Sequence, residues 1–369
     1  MSHLRHAAAL ALAAFLAVTP AAMGQGAHVG ADPAAHAPDR PSDDPAYRLD
    51  RGGITLGGSL HRSGPFTGTD GQTYEPAPLV VNGRSGRAFF GEEFDAACWY
   101  GRHLGNGLRQ LARLSRTIER SGRHALFTIA PNKSSVATNE LPAVTPHGRC
   151  DTRGLKQQNR ILDQFGYRSF VPLRAALESQ SERGANVYWH LDTHWTTVAA
   201  AEFAEGVADK LNPRIAELQR YRTKRESIQV DLGAMGLIDQ KVESGRVRVP
   251  GTGVETRPAD GSGAFDADKP VDPDLSWRTA PAKRTWRGNT LLLGDSFTYR
   301  GLSVLMPLFR HGRFLWLNTV DNNALPTAIA QADTVIFEIV QRYVGVSVLV
   351  QKSFRQQVKQ ALKAYDAAK

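Results

Sequence analysis

The chain has 369 residues, 41% of them hydrophobic, and a formal net charge of +9. That is enough for one large folded domain or two small ones. The positive residues are scattered and form no nucleic-acid-binding signature, so no nucleic-acid partner is expected. An anionic lipid or an acidic polysaccharide fits the charge, and so does plain solubility.

At the N-terminus, Arg5 precedes an apolar run from Ala7 to Val18, and the small residues Pro20, Ala21, Ala22 and Gly24 follow. A basic start, a short apolar stretch and a small-residue cleavage zone predict a secretory signal peptide over 1–24. The run falls short of the roughly 20 residues a bilayer span needs, and an uncleaved N-terminal membrane anchor is the alternative. No later segment is apolar enough to span a bilayer, so a periplasmic location is expected. Removing the leader takes away only Arg5, leaving +8.

Residues 25–78 are expected to form a flexible tether and N-terminal extension. The first part, 25–45, is rich in Ala, Pro, Asp and Gly. One domain is expected over 79–369, with order starting near Leu79-Val80-Val81. Leu104, Leu108, Leu111, Leu114 and Ile118 recur at helical spacing and predict a long helix over 95–121, stopped by Gly122. A buried strand is expected over 124–130, ending at Pro131. Helices follow over 155–165 and 173–183, with an extended piece at 169–173. A short strand is predicted at 187–191 and a helix at 196–211. Later come strands at 290–293, 314–317 and 334–340, and helices at 297–310 and 347–365. This alternation predicts an α/β fold, a mostly parallel central sheet with helices on both faces. The Gly-, Pro- and Asp-rich stretch 246–284 breaks the pattern and reads as a loop excursion, disordered or closing over a ligand. Cys98 and Cys150 are the only cysteines, and an isolated pair in an exported chain predicts a disulfide.

Two motifs carry chemistry. In Leu291-Leu292-Leu293-Gly294-Asp295-Ser296-Phe297 an apolar strand turns into a helix, leaving Ser296 near the helix N-terminus. Free N–H groups and the helix dipole there favour a developing oxyanion, as a nucleophilic serine requires. Simple helix capping by Asp295 or Ser296 is the plain alternative. In Trp189-His190-Leu191-Asp192-Thr193-His194-Trp195, Asp192 and His194 are two apart, so in an extended segment they share a face. A carboxylate beside an imidazole fixes its tautomer and stabilises the imidazolium. Metal binding through His190, Asp192 and His194 is the competing reading.

Asp192-Thr193-His194-Trp195 followed much later by Gly294-Asp295-Ser296-Phe297 resembles the alginate O-acetyltransferase group of the AlgJ/AlgX type. Three further stretches carry the resemblance: 81–91, Ala130-Pro131-Asn132-Lys133, and Phe337-Glu338-Ile339 with Arg342-Tyr343. Ala88 stands where that family usually has Trp, and the 246–284 excursion is this chain's own. With no room after residue 369 for a carbohydrate-binding module, the single-domain AlgJ form is the nearer match.

The resemblance implies an SGNH-hydrolase-like three-layer sandwich and a periplasmic O-acetyltransferase acting on an exopolysaccharide. Asp192 would orient His194, His194 would act as base, and Ser296 would carry the acetyl group as an acetyl-serine. Lys133, Asn132, Tyr299, Arg342, Tyr343 and Trp195 are the candidate substrate-binding residues. The plain readings are a surface charge or packed aromatic for Lys133, Arg342 and Tyr343, a core role for Tyr299, and a buttress for Trp195. No cofactor or metal is expected. Acetyl-CoA is cytoplasmic and no nucleotide-binding loop is visible, so a membrane-bound acyltransferase would have to supply acetyl groups. A carbohydrate acetyl esterase and a non-catalytic polysaccharide-binding protein are the rival readings.

Overall fold

The computed structural model describes residues 64–100, 103–232, 242–251, 255–259 and 274–369. The expected signal peptide, the tether up to residue 63 and the Asp260–Gly263 centre of the excursion lie outside the described residues.

Short strands β1 (Phe66–Thr67) and β2 (Thr73–Tyr74) pair antiparallel, as do β3 (Val80–Asn82) and β4 (Ala88–Phe90). Next come α1 (Glu92–Tyr100), α2 (His103–Glu119), β5 (His124–Ala130), α3 (Lys133–Val136), α4 (Arg149–Gln164) and β6 (Phe170–Val171). They are followed by α5 (Arg174–Glu182), α6 (Thr197–Leu211) and α7 (Pro213–Leu218). Strands β7 (Tyr221–Gln229) and β8 (Val242–Pro250) form an antiparallel pair of their own. The remainder is β9 (Thr256–Pro258), β10 (Asp274–Thr279), β11 (Trp286–Gly294), α8 (Ser296–Leu305), β12 (Phe309–Trp316), α9 (Leu325–Gln331), β13 (Thr334–Val340) and α10 (Lys352–Ala367).

Seven strands make the central sheet in the order β6-β5-β13-β11-β12-β10-β9. The first five run parallel, and β10 and β9 extend one edge antiparallel. The mostly parallel α/β sheet expected from the alternation is therefore present. Its middle strands are apolar on both faces because helices cover both. Leu292 and Ile336 pack with Ala200, Phe203 and Ala204 of α6 and Leu302 of α8. Their neighbours Leu291, Leu293, Val335 and Phe337 pack with Leu108 and Leu111 of α2 and Phe354 and Val358 of α10. Burying each such leucine contributes about 1.5–3 kcal/mol, so this alternation fixes register as well as stability.

Several expectations are corrected. The helix expected over 95–121 is two helices, α1 and α2, beginning earlier at Glu92 and ending at Glu119, with Gly122 past the end at φ +82°. Residues 187–191 are not a strand of the sheet; Tyr188 instead forms a single antiparallel bridge with Trp195. The segment folds back on itself, and Thr196 N–H donates to Val187 O at 3.0 Å. The helix expected to reach 310 stops at Leu305, ahead of Pro307, and β12 starts at Phe309. The 246–284 excursion contributes the end of β8 and strands β9 and β10 to the fold.

Order also begins before Leu79. Phe66 of β1 packs against the Cys98–Cys150 disulfide, which joins α1 to α4 as the isolated cysteine pair leads one to expect. No helix among the described residues is long and apolar enough to cross a membrane.

Candidate active site

Strand β11 runs through the sheet centre and delivers Ser296 to the first position of α8, at the strand's C-terminal edge. The turn demands Gly294, because a side-chain carbon there would meet Thr298 Oγ1 at 2.1 Å. Asp295 is the cap: Oδ1 accepts the Phe297 N–H at 2.8 Å and Oδ2 accepts the Val340 N–H at 2.8 Å. The capping alternative therefore applies to Asp295 and leaves the Ser296 side chain available. Thr298 N–H is taken by Glu338 Oε2 at 3.2 Å, and Tyr299 N–H by Asp295 O at 3.1 Å. The Ser296 N–H has no acceptor among the described residues, which leaves it open for an oxyanion at the positive end of the helix.

The loop over 187–196 brings the second motif to the same place. Lys133 anchors it from α3: its Nζ donates to Ala88 O at 2.6 Å, His190 O at 2.8 Å and Asp192 O at 2.9 Å. Glu243 of β8 anchors it from the other side, accepting the His190 and Leu191 N–H groups at 2.9 and 3.0 Å. Held this way, Asp192 Oδ1 lies 2.7 Å from His194 Nδ1, and His194 Nε2 lies 2.8 Å from Ser296 Oγ. An ionised carboxylate only accepts, so Nδ1 carries the proton and Nε2 presents its lone pair to the serine hydroxyl. Asp192 is fully buried. Burial alone would raise its carboxyl, but His194, through charge and hydrogen bonds, together with Arg300, pulls it down to about 2. It is ionised throughout the neutral range.

Sequence reading missed Asp231, which follows β7. Its N–H donates to Asp192 Oδ2 at 2.9 Å, and its own Oδ1 accepts the Thr193 N–H at 2.8 Å. Asp231 Oδ2 lies 3.5 Å from His194 Nδ1. Burial and the neighbouring Asp192 raise its carboxyl above the usual range. Nothing in the sequence around Val230-Asp231-Leu232 marks it, since only the folded chain joins it to a loop about forty positions earlier.

Asp192, His194 and Asp231 are the one group of three possible metal ligands among the described residues. Each Asp192 oxygen, however, already faces an N–H donor. His190 stands apart from this group. Its Nδ1 lies 3.0 Å from Glu243 Oε1 and its Nε2 is 3.5 Å from Arg87 Nη2, so the trio of the competing metal reading does not assemble.

The six candidate substrate-binding residues fare differently. Lys133 has no exposed surface, and its three protons are matched by three carbonyls, so it braces the loop in place of the expected substrate contact. Burial first, and Arg87 second, bring its ammonium down to about 7. Trp195 is buried against Phe297, with Nε1 donating to Phe297 O at 2.8 Å, and buttresses the site. Tyr299 is buried and stacks on Trp316 with ring centroids 5.3 Å apart, a core role.

Asn132, Arg342 and Tyr343 do gather at the ends of β5 and β13. The Arg342 guanidinium sits 5.6 Å from the Phe297 ring centre and 5.0 Å from that of Tyr343, and Nη1 donates to Asn132 Oδ1 at 3.4 Å. Asn132 and Arg342 are buried, and the Tyr343 hydroxyl donates to Glu92 Oε2 at 2.7 Å.

A serine at a helix N-terminus, an imidazole on its hydroxyl and a carboxylate behind, at the C-terminal edge of a mostly parallel sheet, have the geometry of a nucleophile, its base and the base's orienter, a constellation that recurs on unrelated folds. The family described as "SGNH hydrolase-like domain, acetyltransferase AlgX" matches residues 80–271, just over half of the chain, and the chain belongs to that family. The matched span contains Asp192, His194 and Asp231 but stops short of Ser296.

The structure of Bacillus cereus PatB1 shares the fold at TM-score 0.50 and 14% identity, covering 74% of this chain and 99% of that one. The O-acetyltransferase domain of Pseudomonas putida AlgJ aligns at TM-score 0.45 and 18% identity, over 77% of this chain and 99% of that one. Pseudomonas aeruginosa AlgX aligns at TM-score 0.46 and 17% identity, over 78% of this chain and 66% of that one. No curated protein matches the chain by sequence.

Proposed function

We propose that this chain is a polysaccharide O-acetyltransferase that works outside the cytoplasm through an acetyl-Ser296 intermediate. The observation that carries the reading is the unbroken path from Ser296 Oγ to His194 Nε2, 2.8 Å, and from His194 Nδ1 to Asp192 Oδ1, 2.7 Å. Membership of an acetyltransferase family supports the group transferred, and the acidic or neutral exopolysaccharide acceptor follows the AlgJ/AlgX resemblance.

In the first half-reaction Ser296 Oγ attacks the acetyl carbonyl while His194 Nε2 takes its proton, and the Ser296 N–H receives the oxyanion. The carbon–donor bond breaks and the departing group takes the proton from His194. In the second, a sugar hydroxyl gives its proton to His194 and attacks the acetyl-serine. Ser296 Oγ then leaves and recovers the proton. Asp192 stabilises the imidazolium both times. Arg342, with Asn132 and Tyr343, backs the Phe297 side of the site. The basic start and apolar run of residues 1–24 support export, and a membrane-bound acyltransferase would supply the acetyl groups.

Purified mature protein given a chromogenic acetyl ester and acetylatable oligosaccharides, alongside Ser296→Ala, tests the reading. Mass spectrometry should find acetyl gain on the oligosaccharide in wild type and none in the variant. Free acetate with no sugar product would make the chain an esterase, and equal inertness of both proteins would remove the enzymatic reading.

A further inference from the structure

We propose that Asp231 is a positioning residue of this site: delivered by the β7–β8 pair from outside the sheet, it locks Asp192 and gives His194 a second carboxylate. The inference rests on the Ser296–His194–Asp192 reading above.

The geometry has three parts. Asp231 N–H occupies Asp192 Oδ2 at 2.9 Å, the oxygen turned away from His194, so the carboxylate cannot rotate out of register with the imidazole. The Asp231 carboxylate then grips the residue between the pair: Oδ1 accepts Thr193 N–H at 2.8 Å, and Oδ2 accepts the Thr193 hydroxyl. Leu232 N–H is the third donor to this carboxylate, reaching Oδ1 at 2.7 Å. Finally, Oδ2 stands 3.5 Å from His194 Nδ1, with Thr193 Oγ1 beside both, 3.3 Å from Nδ1. The Nδ1 edge of the ring thus faces Asp192 Oδ1, a hydroxyl and a second carboxylate.

Two carboxylates around one imidazole are mutually repulsive while the ring is neutral and are relieved when it becomes cationic. That is the charge change each half-reaction brings. The other charged groups around the cluster are Arg300 on α8, which acts on Asp192, and Lys133 on α3, on which both carboxylates act. Arg300 is a cation, and Lys133 is one below its lowered value of about 7, so they temper the repulsion without replacing either carboxylate at the ring. The arrangement also ties the chemistry to β7 and β8, which otherwise contribute nothing to the central sheet.

Asp231→Asn is the variant of choice, because it keeps the main-chain N–H on Asp192 and an oxygen for Thr193 while removing the charge. Acetyl transfer should lose roughly 10- to 100-fold in kcat, with KM for the acetyl donor unchanged. The acidic limb of the kcat/KM profile should move to lower pH, because proton removal from the imidazolium becomes easier. Thr193→Val, which removes only the hydroxyl bridge, should give a smaller loss in kcat and leave the acidic limb in place.

Wild-type kcat and pH profile in Asp231→Asn would overturn the proposal. So would a loss matched by the loss of folded protein, with the profile of the remaining activity unmoved. Ser296→Ala in the same assay separates the two readings. If it is inactive while Asp231→Asn is unaffected, only this inference falls; if it is active, the triad reading falls and this inference with it.

Discussion

Glu338 Oε2 accepts the Thr298 hydroxyl at 2.8 Å, two residues beyond Ser296, and the Asp295 and Thr298 N–H groups at 3.3 and 3.2 Å. A single buried side chain on β13 therefore holds the turn in which Ser296 sits from both flanks. Burial and the neighbouring Asp295 raise its carboxyl well above the usual range, so the folded protein keeps a proton that the unfolded chain releases. A group raised in this way contributes stability that is fully present below its unfolded value near 4.5 and is lost as pH rises towards its folded value.

Glu338→Gln, permanently neutral with the same acceptor oxygen, removes that dependence. Thermal melts between about pH 4 and 8 should show the variant gaining on wild type as pH rises, with the smallest difference at the acid end. A wild type that gains on the variant with rising pH would mean an ionised Glu338.

Asp192 has the opposite sign. Held at about 2 by His194 and its N–H donors, it is charged wherever the enzyme works, so the acidic limb of the rate profile belongs to another group. Asp192→Asn keeps the shape but cannot stabilise the imidazolium and admits the wrong tautomer. Acetyl transfer should fall about 10⁴-fold in kcat, with a drop in Tm as well, because the amide NH2 must face one of the N–H donors that the two carboxylate oxygens now accept. A loss under tenfold would show that the carboxylate is not needed behind His194.

The parts legible in the sequence are those set by local pattern. Leu291-Leu292-Leu293 and Val335-Ile336-Phe337 are apolar on both faces because both faces are covered, and the alternation of such strands with helical segments implied a mostly parallel sheet. Gly294-Asp295-Ser296 was readable because a strand-to-helix turn has its own chemistry. Residues 187–191 misled because their apolar run stabilises a loop packed on β7 and β8, where Trp189 and Leu191 join Ile228 and Val247, a contact no local window contains. Lys133 misled for a related reason: a lysine reads as a surface charge until three main-chain carbonyls surround it. Asp231 was invisible because its partners are fixed only by tertiary contact.

Lys133 therefore carries a stability expectation. Lys133→Met fills similar volume but takes the ammonium away from the carbonyls of Ala88, His190 and Asp192, of which His190 O keeps the Ala88 N–H at 2.9 Å. At about 1–3 kcal/mol for each orphaned group, partly relieved by relaxation, the variant should lose about 3 kcal/mol or more in urea unfolding. Since two of the three carbonyls belong to the loop bearing Asp192 and His194, activity should fall in the protein that remains folded. Destabilisation below about 0.5 kcal/mol would show that the loop is held chiefly by Glu243.

The disulfide gives the last expectation, because it acts on stability and leaves the chemistry alone. Cys98 and Cys150 are 52 positions apart and join α1 to α4. Closing a loop of that length restricts the unfolded chain, and removing such a bond typically costs about 2–4 kcal/mol. The bond also seats Phe66 of the β1–β2 pair, so its loss loosens the apolar contact that orders the chain ahead of β3. The paired substitution Cys98→Ser and Cys150→Ser should lower Tm and the urea midpoint, and a reductant should reproduce the shift in wild type but not in the variant. Acetyl transfer, measured well below Tm, should be retained, because neither cysteine contacts Asp192, His194 or Ser296 among the described hydrogen bonds and ion pairs. A variant as stable as wild type would mean that the helix contacts alone hold α1 on α4. A stable variant with lost activity would tie the disulfide to the geometry of the site.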